Sequence, residues 1–531
     1  MSQRSARVTL VYAIIVLAIS SATVNAQQVQ PPPDPIGSIT EAELRDHIFY
    51  MASDSLEGRD TGTRGYMLAA QYSAIHFHQA GLSPMFVDSS GDSTYYQQIQ
   101  FGATTIEPES VLRVTAGGGE RTLRLGTDFI AQKIFSSAGN QLIEGNPMFL
   151  GFGIEEPDLG WNDYEGVDVA GKIVLMMAGA PTEEGEPVLP EEQHTMYSSL
   201  QRSSNTLIPP VLDHQASMLM LVLDSGMVSL WDRLASQMYQ SSTGPVSTSG
   251  SGMPLSWIIL LKPETAVELF SGTGLDPVTG RGTYTPGVLE DVHVSLDMKQ
   301  TTTVAYSSPN VVGLLPGSDP MLKDEYIVVT AHLDHVGVRS GEVFNGADDN
   351  ASGSAAVIEA AEAAAMTELK RSIIFVLLTA EEKGLLGSAH FADNPPVPIE
   401  NIVLNINLDM VGRNSPDWPE SLLALASENG RSQLVSFIKD VNSTTVGANL
   451  DMRLNEGNDP YAHVQRSDQM SFMQKDVPAI LITRGFMGPD YHEASDDPET
   501  VNYRKVLQAA RLTFALAVEA ANREALFDWR R

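Results

Sequence analysis

From Tyr326 onward, short apolar runs alternate with stretches of helical periodicity, and five of the boundaries carry a residue of a type that binds metal ions. The sequences are YIVVTAHLDH, NGADDNASG, IIFVLLTAEEKG, IVLNINLDMVG and, late in the chain, GPDYHEASDD. Runs this short and this rich in Val, Ile and Leu read as buried strands. Helices are predicted over 352–368, 429–442 and 502–522. Strand, helix and strand in repetition needs crossover connections, and these place helices over both faces of a sheet. The expected fold is therefore α/β, with a mixed, largely parallel central sheet covered by helices on both faces. The carboxyl ends of the strands in such a sheet open onto the crevice where chemistry is placed. His332, Asp349, Glu382, Asp409 and His492 fall at such ends.

Two histidines and three carboxylates can hold two Zn²⁺ ions if one carboxylate bridges, with room for a shared water as nucleophile. The chain has no cysteine, which excludes a thiolate metal site, a catalytic Cys and any disulfide. Singly, each residue has an ordinary explanation as a paired core histidine, a helix cap or a solvated turn. Their order and placement argue for the site. His332 and Asp334 flank Leu333, so a strand would point both side chains the same way, with Asp334 placed to take the second ring N–H of His332. Asp349 precedes a predicted helix start that needs only one cap, and the surplus carboxylates there point to a bridging ligand. Glu381 and Glu382 are adjacent at a strand end and project differently. Glu382 is the expected ligand and Glu381 the uncoordinated general base. Asp409 ends the run NIVLNINLD, where a carboxylate is costly to bury alone. His76 and His78 lie on opposing sides of a predicted helix and cannot share a metal there.

The length of 531 residues exceeds what one core usually organises, so two domains or one domain with an insertion are expected. Asp plus Glu outnumber Lys plus Arg by 66 to 33, a formal charge of −33 that argues against nucleic acid or anionic membrane surfaces as partners. Residues 1–26 read as a secretory signal: Arg4 and Arg7, the apolar VTLVYAIIVLAIS, then Val24-Asn25-Ala26 for cleavage. Export to a periplasm or the medium follows, with no stable membrane association after cleavage; an uncleaved anchor is the alternative. Residues 27–39 are a Pro-rich lead-in, expected to be extended. Residues 40–138 and 301–531 form the expected α/β domain. Residues 139–300, with KIVLMMAG at 172–179, MLMLVLDSG at 218–226 and a Ser/Gly-rich tract at 241–252 read as a loop, form an inserted β-rich domain.

HLDH, GADDNASG, TAEEKGLLGS, NLDMVGR and YHEASDD, in this order, resemble the secreted dizinc aminopeptidases of metallopeptidase family 28, over most of 40–135 and 305–525. The resemblance implies a zinc-peptidase αβα sandwich holding two Zn²⁺ ions. His332 and Asp409 would serve one ion and Glu382 and His492 the other, with Asp349 bridging and Glu381 as base. It implies an exopeptidase that hydrolyses the N-terminal bond of peptides by a metal-activated water. Tyr491 would support the substrate amine. Arg413, Arg466 and Arg484 are candidates for a substrate carboxylate, which a carboxypeptidase or dipeptidase on the same site would need. Segment 139–300, with WNDYEGVDVAGKIVLMM, resembles a protease-associated domain. The chain carries Ser467-Asp468-Gln469 where many relatives have Ser-Asp-His. A glutaminyl cyclase is disfavoured because ligands for two ions are kept, and so is a catalytically inactive receptor or binding module, which would have lost ligands. His335, His390 and His463 receive no ligand role; His463 is a candidate to line the cleft.

Overall fold

The strand Tyr326–His332 is buried from Ile327 to its last residue because both of its faces are covered. Ile327, Val329 and Ala331 enter one hydrophobic core and Val328 enters another, the period of two expected of a strand with apolar residues on either side. In this computed structural model, residues 34–526 are described apart from 134–139, 184–185, 199–206, 209, 212–213, 239–241, 247–256, 415–420, 428–429, 456–462, 486–487 and 489. The expected signal and residues 27–33 of the lead-in lie outside the described residues, and Pro35–Ser38 form one helical turn.

The main sheet has ten strands. Its principal members are β1 (Tyr96–Ile106), β2 (Gln300–Leu315), β3 (Tyr326–His332), β4 (Ser372–Leu378), β5 (Ile402–Asp409), β6 (Leu422–Ala426) and β7 (Ala479–Thr483), in the order β1-β2-β4-β3-β5-β7-β6. The four central strands β4, β3, β5 and β7 are parallel, whereas β1 and β2 run antiparallel to their neighbours and β6 runs antiparallel to β7. The helices packed on this sheet include α1 (Glu41–Met51), α2 (Arg64–Gln79), α3 (Gly353–Ala364), α4 (Leu386–Asp393), α5 (Arg431–Val441), α6 (Gln469–Met473) and α7 (Tyr503–Asn522). On one face α1, α2, α3, α5 and α7 share a core with the sheet, and on the other Phe391 of α4 and Phe472 of α6 do so. Small Ala side chains along α3 let it lie buried between the sheet and the outer helices. Thr40 and Thr63 start α1 and α2 by accepting the N–H of Glu43 and Tyr66.

Ile106 and Gln300 are register partners on β1 and β2, so the chain leaves the main sheet and returns to it at one point. Between them a second core runs from Ile106 to Met298. It contains a six-stranded sheet whose centre is the parallel set Ile173–Met177, Met218–Val222 and Trp257–Leu261, and a four-stranded antiparallel sheet. Val111–Ala116 pairs with Val292–Met298, and Phe129–Lys133 pairs with Trp257–Leu261. The second core thus takes in Ile106 and strands before residue 139. The alternation in LRVTAG fits either sheet, and only its partner, far along the chain, decides between them. Ser242–Pro245, in the tract expected to be a loop, adds an edge strand to β1; residues 247–252 of that tract lie outside the described residues. Among the described residues no helix is long and apolar enough to cross a membrane.

Candidate metal centre

His332 is the last residue of β3 and Asp409 the last of β5, while Glu381 and Glu382 follow β4 after Thr379 and Ala380. Asp349 sits in the turn Ala347–Ser352 that leads into α3, and His492 in the loop between β7 and α7. Because β4, β3 and β5 are adjacent and parallel, their carboxyl ends deliver these side chains to one place. Ala380, Met410 and His492 have φ of 56°, 54° and 54°, a left-handed conformation that non-glycine residues rarely adopt. Each is a candidate site residue or the immediate neighbour of one, as expected where the surrounding structure enforces a strained backbone at a functional site.

His332 Nε2 lies 3.2 Å from Asp409 Oδ1 and 3.4 Å from Asp349 Oδ1. His492 Nε2 lies 3.2 Å from Asp349 Oδ2 and 2.9 Å from Glu382 Oε2. Asp349 thus turns one oxygen towards each of two imidazole–carboxylate pairs. Donor atoms of His332, Glu381 and Asp409 all lie within 4.8 Å of one another, and so do those of His335, Asp349, Glu382 and His492.

Four carboxylates meet three imidazoles here, and among the described residues no Lys or Arg pairs with Asp349, Glu381, Glu382 or Asp409. Burial pushes the carboxyl groups of Glu381 and Asp349 up from their ordinary values, Glu381 far up. Burial opposes the charged form of His492 as well, but contacts with Asp349 and Glu382 push it up to about 9. Glu382 goes the other way: against burial, contacts from His335 and His492 hold it well below the usual carboxylate range. His492 Nε2 is buried with no hydrogen-bond partner despite two carboxylates nearby. A site rich in N and O donors, and short of positive charge, fits divalent zinc.

The residues around the donors differ from expectation at Asp334. Its Oδ1 accepts the backbone N–H of Glu381 at 3.1 Å, and its Oδ2 accepts the Thr61 hydroxyl at 3.0 Å and lies 3.4 Å from the N–H of Glu382. The carboxylate stands 4.0 Å from His332 Nδ1, which instead has the backbone carbonyl of Asp334 at 3.2 Å. The strand ends at His332, so the two side chains do not alternate in extended backbone as predicted. Asp334 holds the segment bearing Glu381 and Glu382; it does not orient His332 through its side chain.

Two residues escaped the sequence reading. His335, fully buried, places Nδ1 2.9 Å from Glu382 Oε1 and 3.8 Å from Asp349 Oδ2. Arg59, also fully buried, donates to the carbonyls of Leu333 (2.9 Å), Asn345 (2.8 Å), Gly346 (2.9 Å) and Met51. It ties α1 to the two loops that bear His335 and Asp349. The histidine following HLD is a visible signal in the sequence, but nothing local marks Arg59, whose acceptors come from three separate segments.

Of the expected substrate residues, Tyr491 lines the cleft and stacks on His492 at 3.8 Å between ring centroids. His463 and Arg466 line it too. Arg484 and Arg413 do not. Arg484 is buried with Nε 2.9 Å from Asp348 Oδ2. Arg413 pairs with Asp490 at 2.7 Å and with Asp496 at 2.8 Å, and Asp496 in turn accepts the backbone N–H of Asp348 and of Asp349 at 3.1 Å. Both cations pair with carboxylates of the ligand loops rather than line the cleft. Gln469, at the position where many relatives carry His, is buried and accepts from the Asn407 amide of β5 at 2.8 Å.

Residues 310–517 match the model of peptidase family M28. Among curated proteins, the chain is similar to aminopeptidase YwaD of Bacillus subtilis (strain 168), 27% identical over 225 residues that make up 41% of this chain and 46% of that one. It is also similar to leucine aminopeptidase 1 of Trichophyton rubrum, 25% identical over 228 residues covering 41% and 59% of the two chains. The chain thus spans about half the length of the curated relatives it matches. Among solved structures, an aminopeptidase from Aneurinibacillus sp. strain AM-1 is similar with a TM-score of 0.45 and 17% identity, over 93% of this chain and 98% of that one. The segment matching family M28 begins within β2 and includes His332, Asp349, Glu381, Glu382, Asp409 and His492, but not α1, α2 or the second core.

Proposed function

We propose that this chain is a dinuclear zinc exopeptidase that removes the amino-terminal residue of peptides. The observation that carries the reading is Asp349, whose two oxygens face two separate imidazole–carboxylate pairs with Glu381 alongside. The family match and the aminopeptidase names of the relatives point the same way. His332 and Asp409 would hold one ion, Glu382 and His492 the other, and Asp349 would bridge. Zinc bound there would supply Lewis acidity, lowering the pKa of a water and stabilising charge on the scissile carbonyl oxygen.

The chain's own groups do the rest. Glu381 takes the proton from the attacking water and returns it to the leaving amine. Asp334 fixes the backbone from which Glu381 projects. Tyr491 forms a wall of the cleft beside His492. An amino terminus is favoured over a carboxyl terminus by the aminopeptidase names of the relatives and by the pairing of Arg413 and Arg484 with carboxylates away from the cleft, which leaves Arg466, on the cleft wall, as the candidate for a substrate carboxylate. The same reading makes residues 1–26 an export signal and the second core a protease-associated-like domain.

The test pairs an amino-acid anilide with an amino-blocked peptide whose carboxyl end is free. Wild type should cleave the anilide and spare the blocked peptide. Glu381→Gln should keep its metal and lose about 10²–10⁴-fold in kcat. Trimming of the blocked peptide would replace the reading with a carboxypeptidase, and full activity of Glu381→Gln would remove Glu381 from the reaction.

A further inference from the structure

Away from this centre, a second group of imidazoles and carboxylates lies between α1, α2 and α3. Donor atoms of His47 on α1, His76 on α2 and Glu362 on α3 all lie within 4.8 Å of one another. Glu359, three residues earlier on α3, stands outside that group and faces His47 alone. His47 Nε2 stands 3.1 Å from Glu359 Oε1, and His76 Nδ1 stands 2.8 Å from Glu362 Oε1. Those separations match the imidazole–carboxylate spacings at the centre already described, 2.9 Å for His492–Glu382 and 3.2 Å for His332–Asp409.

Three further observations mark the cluster as more than two ion pairs. The other ring nitrogen of His47 lies 2.8 Å from the Tyr72 hydroxyl, an outer partner of the kind usual for a metal-binding imidazole. Glu359 is a buried carboxylate in a helix otherwise lined with Ala, Val and Ile, and among the described residues no Lys or Arg pairs with it or with Glu362. Two carboxylates carry the charge that one divalent cation balances. Finally, the side chains of His76 and Glu362 are 21% and 33% exposed, against 5% and 4% for His47 and Glu359, which gives a cation a way in from solvent.

We propose that His47, His76 and Glu362 bind one additional divalent cation, with Glu359 beside His47. Two imidazole nitrogens beside a carboxylate oxygen favour zinc or a similar borderline ion over Ca²⁺ or Mg²⁺. The ion clips α1 and α2 onto α3, the helix whose leading turn carries Asp349. The role is structural and does not depend on what the dinuclear centre hydrolyses.

The test counts ions by native mass spectrometry on the full chain, stripped with chelator and re-equilibrated in a Zn(II) buffer. The comparison is made in two pairs: wild type against His76→Ala, and Asp349→Ala against the double variant Asp349→Ala/His76→Ala. Each pair should differ by one ion, and His76→Ala should retain peptidase activity. The second pair has its dinuclear centre disabled, so it reads the new site whether or not that centre behaves as proposed. Equal counts within the second pair overturn the proposal. If His76→Ala folds poorly, Glu362→Gln replaces it with the same expected loss.

Discussion

Asp334 Oδ1 accepts the backbone N–H of Glu381 at 3.1 Å, so a fully buried carboxylate two residues beyond β3 sets the position of the proposed base beyond β4. Its other oxygen lies between the Thr61 hydroxyl and the N–H of Glu382. Asp334→Asn keeps the shape but replaces one accepting oxygen by a donating amide, leaving a backbone N–H facing another donor. A displacement of about 1 Å at a catalytic group can cost about 10²-fold in rate. Asp334→Asn should therefore lose activity on that scale in kcat with metal content close to wild type. Unchanged kcat in steady-state assays would show that the loop holds Glu381 without it.

His335 should affect metal retention. Its Nδ1 is 2.9 Å from Glu382 Oε1, and loss of an outer partner of a metal-binding carboxylate typically costs 10–100-fold in affinity. His335→Ala should weaken zinc binding by about that factor in competition with a chelator. His335→Asn, whose amide can approximate Nδ1–H, should recover part of the loss. Affinity equal to wild type in both variants would reduce His335 to a packing residue.

These two residues show where the sequence was informative. His332 and Asp409 are legible because each ends a continuous apolar run, and a strand end in a parallel sheet is a definite place. The central strands and the helices on both faces were legible for the same reason. His335 lies past the strand in a turn, where direction depends on backbone that no periodicity encodes. Arg413 and Arg484 announce a charge but not a partner, and their partners, Asp348, Asp490 and Asp496, come together only in the folded chain. Which strands before residue 139 join the second core was not legible, because strand pairing is a long-range property.

Arg484 separates a structural from a substrate role. It and Asp348 are both about 1% exposed, and removing one member of such a pair leaves an uncompensated buried charge at a cost of about 3–5 kcal/mol. Arg484→Ala should lower stability by that amount in denaturant unfolding, and Asp348→Asn/Arg484→Met should recover much of it because neither charge then remains. A rise in KM with no change in stability would instead return Arg484 to the substrate.

Gly346 gives the sharpest steric test of the ligand loop. Its φ is 58°, and a Cβ there would stand 2.2 Å from the Asp349 carbonyl oxygen and 2.5 Å from the His335 ring. Gly341, φ 86°, has nothing within 4 Å of the same added atom. Gly341→Ala should therefore show the conformational cost alone, about 1–2 kcal/mol. Gly346→Ala must also displace Asp349 or His335, and neither can move without leaving the positions that face Glu382 and His492. It should lose more stability than Gly341→Ala and bind zinc more weakly, as read by thermal unfolding and chelator competition. Equal losses in the two variants, with zinc affinity intact, would mean that the turn relaxes without disturbing Asp349.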